Sequence, residues 1–343
     1  MDEMNLIRDF RADVPVPDRA RLTPARQRLY DEIARSQRRT ARWRPMAVAL
    51  GSALAVTAAA LLTALPVRGG ETDSAGGGPR SDQWVYQQVR WDTWKCATGA
   101  DLHAYSEVGS FNLGVLTRPC EAKPAEPLYR TQWVRYDGRA VATSVRNSHS
   151  PDGPGGSDDV NIWHGRYEEA WEMLSPQPSD ALVAALPEDP RAALAMIRKN
   201  AVPARPAAAP RLTRAQRDFT EVVEVLAGSV TVPPDKARTI HRVLTTLEGA
   251  TPPVEVTDGA GRRALALGVD GHFRDYNGER NALQVLLDPD TYAYRGVRYV
   301  AGLDYRVGGG TSHGPGPHVT KGTVVATATR VHTAVVDRPG LRS

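Results

Sequence analysis

An uncharged stretch of twenty residues, from Met46 to Leu65, constrains this chain more than any other part of its sequence. It consists of eight alanines, five leucines, two valines and five further residues without charge. A helix rises about 1.5 Å per residue, so the stretch would reach roughly 30 Å, the thickness of the hydrocarbon core of a bilayer. The sequence therefore predicts one transmembrane helix over residues 45–66.

The basic residues around this stretch predict its orientation. Four arginines precede it, Arg38, Arg39, Arg42 and Arg44, whereas the next basic residue after it is Arg68. Because cytoplasmic flanks carry the excess of Lys and Arg, the N-terminus is expected in the cytoplasm and the C-terminal part outside the cell membrane. A cleaved signal peptide would need a charged leader of 44 residues, and a buried soluble helix would be shorter. We therefore favour an uncleaved single-pass anchor.

The distribution of charge supports this division of the chain. Residues 1–44 contain eleven arginines and seven acidic residues, and the remainder contains 32 basic and 32 acidic residues, so the whole net charge of +4 lies before the anchor. Each basic residue beside an anionic leaflet is attracted to it by roughly 1 kcal/mol. Membrane lipid, and not nucleic acid, is the partner that this charge indicates.

Two short amphipathic helices are predicted in the cytoplasmic segment, residues 1–44, and the prolines of Val14–Pro17 separate them. Their apolar positions are Leu6, Ile7 and Phe10 in the first helix, and Leu29 and Ile33 in the second. So few apolar residues cannot form a core of their own. Either the segment lies on the membrane surface as a topology signal, or it docks through these side chains into a groove of a cytoplasmic partner.

A Gly-rich flexible linker, residues 67–81, is predicted to lead into an extracytoplasmic domain over residues 82–340. Strands are predicted at QWVYQQVRW, on both sides of Asp137-Gly138, on both sides of Asp258–Gly261, on both sides of Asp288–Asp290, and at KGTVVATATRVHTAVVD. Helices are predicted near Pro190–Lys199, from Ala215 to Gly228 and from Pro233 to Gly249. Strands, then helices, then strands predict an α+β fold with helices on one face of an antiparallel sheet.

Both cysteines, Cys96 and Cys120, follow the anchor and would therefore lie in an oxidising compartment. A disulfide between them would stabilise the fold by roughly 3.5 kcal/mol in the chain-entropy model. Two unrelated buried thiols are the alternative. We favour the disulfide, since the segment before the anchor contains no cysteine.

No motif of a known catalytic, phosphate-binding or metal site is present in the sequence, which contains neither HExxH nor CxxC. His313 and His318 are the closest approach to a metal-binding pair, but no carboxylate or cysteine lies near them, and chance is the preferred explanation. His241, at the edge of an apolar helix face, is expected to be a packing residue. We therefore expect no enzymatic activity, no metal and no cofactor.

Tryptophans are the most distinctive feature of the outer part of the chain. Six of the seven lie there: Trp84, Trp91, Trp94, Trp133, Trp163 and Trp171. Such residues could line a site for an apolar ligand on a curved sheet. We prefer the alternative that they form the core and the cross-strand pairs.

Several segments together resemble an actinobacterial family of single-pass membrane proteins, whose genes often lie beside those of extracytoplasmic-function sigma factors. They are MDEMNLIRDFRADVPVPDRARLTPARQRLYDEI, the stretch at 46–65, QWVYQQVR, LPEDPRAALAMIRK, the helical pair at 212–248 and LLDPDTYAYRGVRYV. The resemblance covers most of the chain. It implies a membrane-anchored regulatory protein without catalytic residues.

The gene association suggests an anti-sigma-like role, in which residues 1–44 would hold a sigma factor and the outer domain would sense the state of the envelope. Residues 1–65 contain no cysteine and no histidine, so any such contact would be zinc-free, unlike that of the zinc-binding anti-sigma domains. In outline, the strand and helix pattern of the outer domain is also similar to the half-barrels of lipoprotein carriers and sigma-factor regulators.

Overall fold

The computed structural model describes residues 78–94, 123–144, 150, 160–166, 174–200, 212–272, 279–307 and 316–343. The chain divides into two units at residue 67, and all of the described residues belong to the second. The predicted cytoplasmic segment, the predicted transmembrane helix and both cysteines lie outside the described residues. Within the described ranges, no helix has the length and apolar character that a membrane crossing requires.

Strands dominate the described part of the chain. In order, its elements are β1 (Trp84–Thr93), β2 (Leu128–Arg135), β3 (Ala140–Ser144), β4 (Val160–His164), α1 (Pro176–Ala185), α2 (Pro190–Asn200), α3 (Arg214–Gly228), α4 (Pro234–Thr246), β5 (Val254–Thr257), β6 (Arg263–Gly268), β7 (Asn281–Leu287), β8 (Tyr294–Ala301), β9 (Tyr305–Arg306), β10 (His318–Val319) and β11 (Val324–Val336). The four helices stand together in the chain, between two groups of strands.

Nine strands form one sheet in the order β4-β3-β2-β1-β11-β8-β7-β6-β5. Every pair of neighbours is antiparallel, and β9 and β10 form a separate two-stranded ribbon. The four helices connect β4 to β5, which are the two edges of the sheet in the described part of the chain. The predicted α+β class and the predicted antiparallel sheet are confirmed.

Three aspartates build the hairpin turns that the sequence predicts. The side chain of Asp137 accepts a hydrogen bond from the Arg139 amide at 3.0 Å, and Gly138 adopts a φ of 72°. The side chain of Asp258 likewise accepts from two amides of its own turn, at 2.9 Å each. Asx turns of this kind are local, so the residue sequence specifies them without help from the rest of the fold.

The third turn, between β7 and β8, contains a carboxylate with a strongly shifted pKa. Burial of Asp288 by itself raises its pKa, but hydrogen bonds from Arg295, Thr291 and the Asp290 amide outweigh this effect and lower the pKa to about 2. The side chain is 14% exposed. The ionised form is therefore stabilised by the folded state.

We expect this carboxylate to make the fold sensitive to acid. Because its folded pKa is depressed, its contribution is complete above about pH 4 and is lost as the pH falls towards 2, and it amounts to about 2 kcal/mol. Urea titrations from pH 6 to pH 2 measure the free energy of unfolding at each pH. The decrease between pH 6 and pH 2 should be smaller in Asp288→Asn than in the wild type by this amount. The exposed neighbour Asp290→Asn is the matched control; an equal change in both variants would contradict the prediction.

The predicted helices α2, α3 and α4 are confirmed. A capping box starts α3, in which the Thr213 hydroxyl accepts from the Gln216 amide and the Gln216 side chain accepts from the Thr213 amide. The helix α1 was not predicted from the sequence, and it begins with two prolines within its first three residues. Asp180 holds α1 in place, because its carboxylate accepts hydrogen bonds from the Tyr136 hydroxyl and the Val230 amide.

The helices pack on one face of the sheet and enclose the main hydrophobic core there. From the helices this core contains Leu182, Val183, Ile197, Phe219, Val222, Val223, Leu226, Ile240, Val243 and Leu244, and from the strands Trp91, Leu267, Leu283, Val285, Leu287, Val297, Tyr299, Ala326 and Ala328. Side chains of a strand alternate between the two faces. The intervening residues therefore lie on the other face, which we call the open face because none of the four described helices packs on it.

Three of the described tryptophans support the core interpretation, whereas Trp163 in the edge strand β4 is 42% exposed and does not belong to a core. Trp91 stacks against Tyr299 inside the main core, with the ring centroids 6.5 Å apart. Trp84 and Trp133 are buried in a second cluster on the open face, where Trp133 contacts Tyr86. For these three tryptophans the core interpretation is confirmed.

Candidate ligand-binding face

A row of four polar side chains and one glycine crosses the open face at the level where five strands pair. The register places Gln284 of β7 opposite Gly268 of β6 and opposite Arg298 of β8. It also places Thr327 of β11 between Arg298 and Asp92 of β1. We call these five residues the polar row. Antiparallel partners lie about 5 Å apart, so this row forms a continuous polar strip across the sheet.

Arg298 is the central residue of the polar row, and its charge is partly removed from water. The side chain is half-buried, and this burial lowers its pKa. Its Nε donates a hydrogen bond to Gln284 Oε1 at 2.6 Å. No described carboxylate forms an ion pair with it, although burial of a charged group is costly unless the group is paired.

Two other arginines near the polar row, unlike Arg298, are paired with carboxylates. Arg90 donates three hydrogen bonds to the carboxylate of Asp92, at 2.8 and 3.1 Å. Arg262 contacts the buried carboxylate of Asp258 at 2.8 Å. Since each of these pairs is neutral as a whole, Arg298 contributes an uncompensated positive charge to this part of the open face.

Gly268 makes room for the side chain that holds Arg298. A Cβ at Gly268 would lie 3.0 Å from Cγ of Gln284, closer than such atoms normally approach. The absence of a side chain here lets Gln284 pack directly against β6, with its amide oxygen towards Arg298. The position of the Arg298 guanidinium is therefore supported by neighbours on two further strands.

The turn between β5 and β6 folds over the open face. The Gly259 amide donates to the Thr329 hydroxyl at 2.9 Å, and Arg262 Nη2 donates to the Arg330 carbonyl, also at 2.9 Å. Both acceptors belong to β11, which is separated from β6 by β7 and β8 in the sheet. The sheet therefore bends across these strands, and the bend brings the turn close to the end of the polar row at Asp92.

Small and apolar residues flank the polar row on the open face. On one side the register pairs Ala282 with Val300. On the other side Leu286 is paired with Ala266 and belongs, with Ala264, to a separate small cluster of buried residues. Leu286, Ala266 and Ala264 are fully buried within the protein, whereas Ala282 and Val300 are half-buried, so the accessible surface beside Arg298 is apolar on one side only.

Most residues that the sequence analysis singled out lie outside the described part of the chain. They are Leu6, Ile7, Phe10, Leu29, Ile33, Arg38, Arg39, Arg42, Arg44, Cys96, Cys120 and His313. The predicted docking surface, anchor flank and disulfide therefore stay predictions. His318 is exposed in β10, and no group of three or more potential metal ligands occurs among the residues that the structure describes.

His241 is described, and it packs as the sequence analysis expects. Its ring stacks on Tyr292 with the centroids 4.1 Å apart. Burial lowers the pKa of His241, which favours the neutral ring. Tyr292 adopts a φ of 58° in the turn between β7 and β8. The stacked pair thus joins α4 to that turn.

Arg298 and Gln284 were not predicted from the sequence as site residues. Each is a polar residue between apolar ones in a strand, at NALQVLL and YRGVRYV, and this alternation is the signal that could have identified them. Their pairing depends on the register of β7 and β8, which a single sequence does not supply.

Comparisons with known proteins give no match to this chain. No protein-family model matches it, and neither a curated protein nor a solved structure shows a significant similarity. Its function must therefore be inferred from its own residues and their geometry.

Proposed function

We propose that this chain is a single-pass sensing protein of the cell membrane, with an outer domain that binds a ligand and a cytoplasmic segment that contacts a regulator. The observation that carries the proposal is the polar row, in which Arg298 presents an unpaired guanidinium on the bent open face of the sheet. A half-buried charge without a counter-ion supports a binding role, since a purely structural role favours a paired charge.

The bend of the sheet supports a ligand-binding role by analogy. A sheet that bends across β7 and β8 and carries helices on its other face is similar in outline to the half-barrels of lipoprotein carriers and sigma-factor regulators. Because one fold serves many functions, this likeness supports the architecture more than the activity.

The charge and hydropathy of the N-terminal region support the membrane anchor. Residues 46–65 are uncharged, and the excess of arginine lies on one side of them. In the proposal, residues 1–44 bind a sigma factor or a related regulator without zinc, through Leu6, Ile7, Phe10, Leu29 and Ile33. The alternative is an envelope binding module for lipid or another ligand, in which the same residues serve only as a topology signal.

Cysteine labelling tests the membrane topology. In the full chain with Cys96→Ser and Cys120→Ser, a new cysteine is placed by Ser36→Cys or by Ser343→Cys. We expect a membrane-impermeant maleimide to label Ser343→Cys in intact cells, and to label Ser36→Cys only after permeabilisation. Equal labelling of both variants in intact cells would contradict the anchor.

Cross-linking in the host tests the regulatory role. The full chain is compared with a variant carrying Leu6→Ser, Ile7→Ser and Phe10→Ser, and with Arg11→Ser as a matched control on the polar positions. We expect a sigma factor to be recovered with the wild type and the control, and lost with the triple variant. Recovery of no specific regulator by the wild type would favour the envelope binding module.

A further inference from the structure

We infer that the aromatic end of the open face is a docking site for a peptide segment, and that the C-terminal tail, residues 337–343, occupies this site as a removable strap. The inference goes beyond the proposed function, because it concerns a different part of the open face from the polar row and does not depend on Arg298. It is based on three adjacent rings, on their hydrogen bonds with the tail and on the way the tail reaches them.

The three rings lie side by side across β2, β1 and β11, and we call them the aromatic platform. The ring of Tyr86 in β1 contacts that of Trp133 in β2 and that of His332 in β11, with centroid distances of 5.3 and 5.5 Å. Because β1 lies between β2 and β11 in the sheet, Trp133 and His332 form the two ends of the platform. Each end therefore carries a ring N–H group.

Both N–H groups bind the backbone of the tail. Nε1 of Trp133 donates to the Leu341 carbonyl, and Nε2 of His332 donates to the Arg342 carbonyl at 3.1 Å. The Leu341 side chain, in contrast, is 37% exposed. Since every residue of a peptide supplies a carbonyl, these contacts do not require leucine, and a segment of another sequence offers the same acceptors.

A positive charge suits the second position of the docked segment. Burial of the Tyr86 hydroxyl raises its pKa, and the nearby charge of Arg342 partly offsets this effect. The Arg342 side chain therefore carries its charge close to the phenol oxygen of the platform. The segment that fits best presents two successive carbonyls, the second from a basic residue.

The tail reaches the platform by turning back after β11. Asp337, directly after the strand, accepts hydrogen bonds from Arg80 Nη2 and Gln83 Nε2, both at 3.1 Å. Gly340 then adopts a φ of 92°, which reverses the chain. Because so few residues separate Asp337 from the docked carbonyls, the effective concentration of the tail at the platform is of the order of millimolar. A competing segment has to overcome this concentration.

Peptide binding in trans tests the inference. The probe is a dye-labelled peptide with the sequence of residues 337–343, DRPGLRS, and its anisotropy is measured with the full chain in nanodiscs and with the same chain lacking Leu341–Ser343. We expect the shortened chain to bind the peptide, and the full chain to bind it at least about tenfold more weakly, because its own tail competes. A peptide with Leu341→Ala should bind as tightly as the probe, and one with Arg342→Asp more weakly.

A variant of the shortened chain identifies the donor. Trp133→Phe keeps the ring but removes the N–H group, so it should weaken peptide binding by about fivefold, the factor that one hydrogen bond supplies. Trp163→Phe makes the same substitution at the exposed tryptophan of β4 and is the matched control; it should leave binding unchanged. A thermal unfolding curve for each variant verifies that it is folded.

A second measurement uses a chain with its tail intact. A dye is attached through Ser343→Cys in the full chain with Cys96→Ser and Cys120→Ser, and unlabelled DRPGLRS is added to about 10 mM, above the effective concentration of the tail. We expect the anisotropy of the dye to fall as the tail is displaced. This result decides the inference even where the shortened chain does not fold, and a constant anisotropy would overturn the strap.

The outcomes separate this inference from the proposed function. A folded shortened chain that binds no peptide would overturn the docking site, and equal binding by the full and shortened chains would overturn the strap. Loss of binding with the Leu341→Ala peptide would overturn recognition through the backbone. None of these results bears on the membrane anchor or on the cytoplasmic partner, which the topology and cross-linking experiments decide independently.

Discussion

Gly296→Ala is expected to destabilise the protein by about 4 kcal/mol or more, a loss that only a few mechanisms produce. Gly296 lies in β8, between Leu286 of β7 and Thr329 of β11, and its φ is 138°. A Cβ at this position would lie 2.0 Å from the carbonyl oxygen of Ala328. Since that oxygen belongs to the backbone of the neighbouring strand, β8 and β11 would have to separate in the middle of the sheet.

The loss in Gly296→Ala has two causes, the close contact with the Ala328 carbonyl oxygen and the strain of a positive φ, and Gly322→Ala separates them. Gly322 also adopts a positive φ, of 88°, but no atom lies within 4 Å of a Cβ built there. Its replacement should therefore cost only the backbone strain, roughly 1–2 kcal/mol. Urea unfolding of both full-length variants, followed by tryptophan fluorescence, measures the difference, and equal losses would show that the contact with Ala328 is not the cause.

Gly296 also illustrates which parts of the fold a sequence can predict. The turns at Asp137, Asp258 and Asp288 were predictable, because each aspartate bonds to amides within its own turn. The need for glycine at position 296 comes instead from Ala328, which is distant in the chain and adjacent only through the pairing of β8 with β11. No local pattern contains that information.

The same distinction explains which elements were found and which were missed. The helices α3 and α4 have apolar residues at helical spacing and clear stop signals, so their existence was predictable. In contrast, α1 has a weak apolar pattern and two prolines in its first turn. The edge strand β4 lies largely exposed, so it lacks the alternation of apolar and polar residues by which a half-buried strand is recognised.

The candidate site was beyond prediction for a related reason. Arg298 is one of many arginines in the chain, and the alternation of apolar and polar residues around it indicates its face of the strand but not its partner. What distinguishes Arg298 is its neutral partner, Gln284 on the next strand. Arg90 and Arg262 are paired with carboxylates instead. Only the register of the sheet identifies these partners, since a slip of one residue would move every side chain to the other face.

Trp133→Ala is the second substitution for which we expect a large effect, a loss of about 3–5 kcal/mol in the free energy of unfolding. The indole of Trp133 is 0% exposed and packs against Tyr86, with the ring centroids 5.3 Å apart. Its Nε1 also donates a hydrogen bond to the carbonyl of Leu341 in the C-terminal tail. Truncation removes the packing and this link, so the tail should become more sensitive to carboxypeptidase.

Two further variants assign this loss to its causes. Trp133→Phe keeps a buried ring but removes the N–H group, so it should cost about 1 kcal/mol beyond the change in packing and should still expose the tail. Trp163→Ala makes the same truncation in β4, where the side chain is 42% exposed, and should cost less than about 1 kcal/mol. A Trp163→Ala loss as large as that of Trp133→Ala would mean that burial on the open face is not what stabilises this end of the sheet. Carboxypeptidase resistance that survives in Trp133→Phe would show that other contacts hold the tail, such as the one between His332 Nε2 and the Arg342 carbonyl at 3.1 Å.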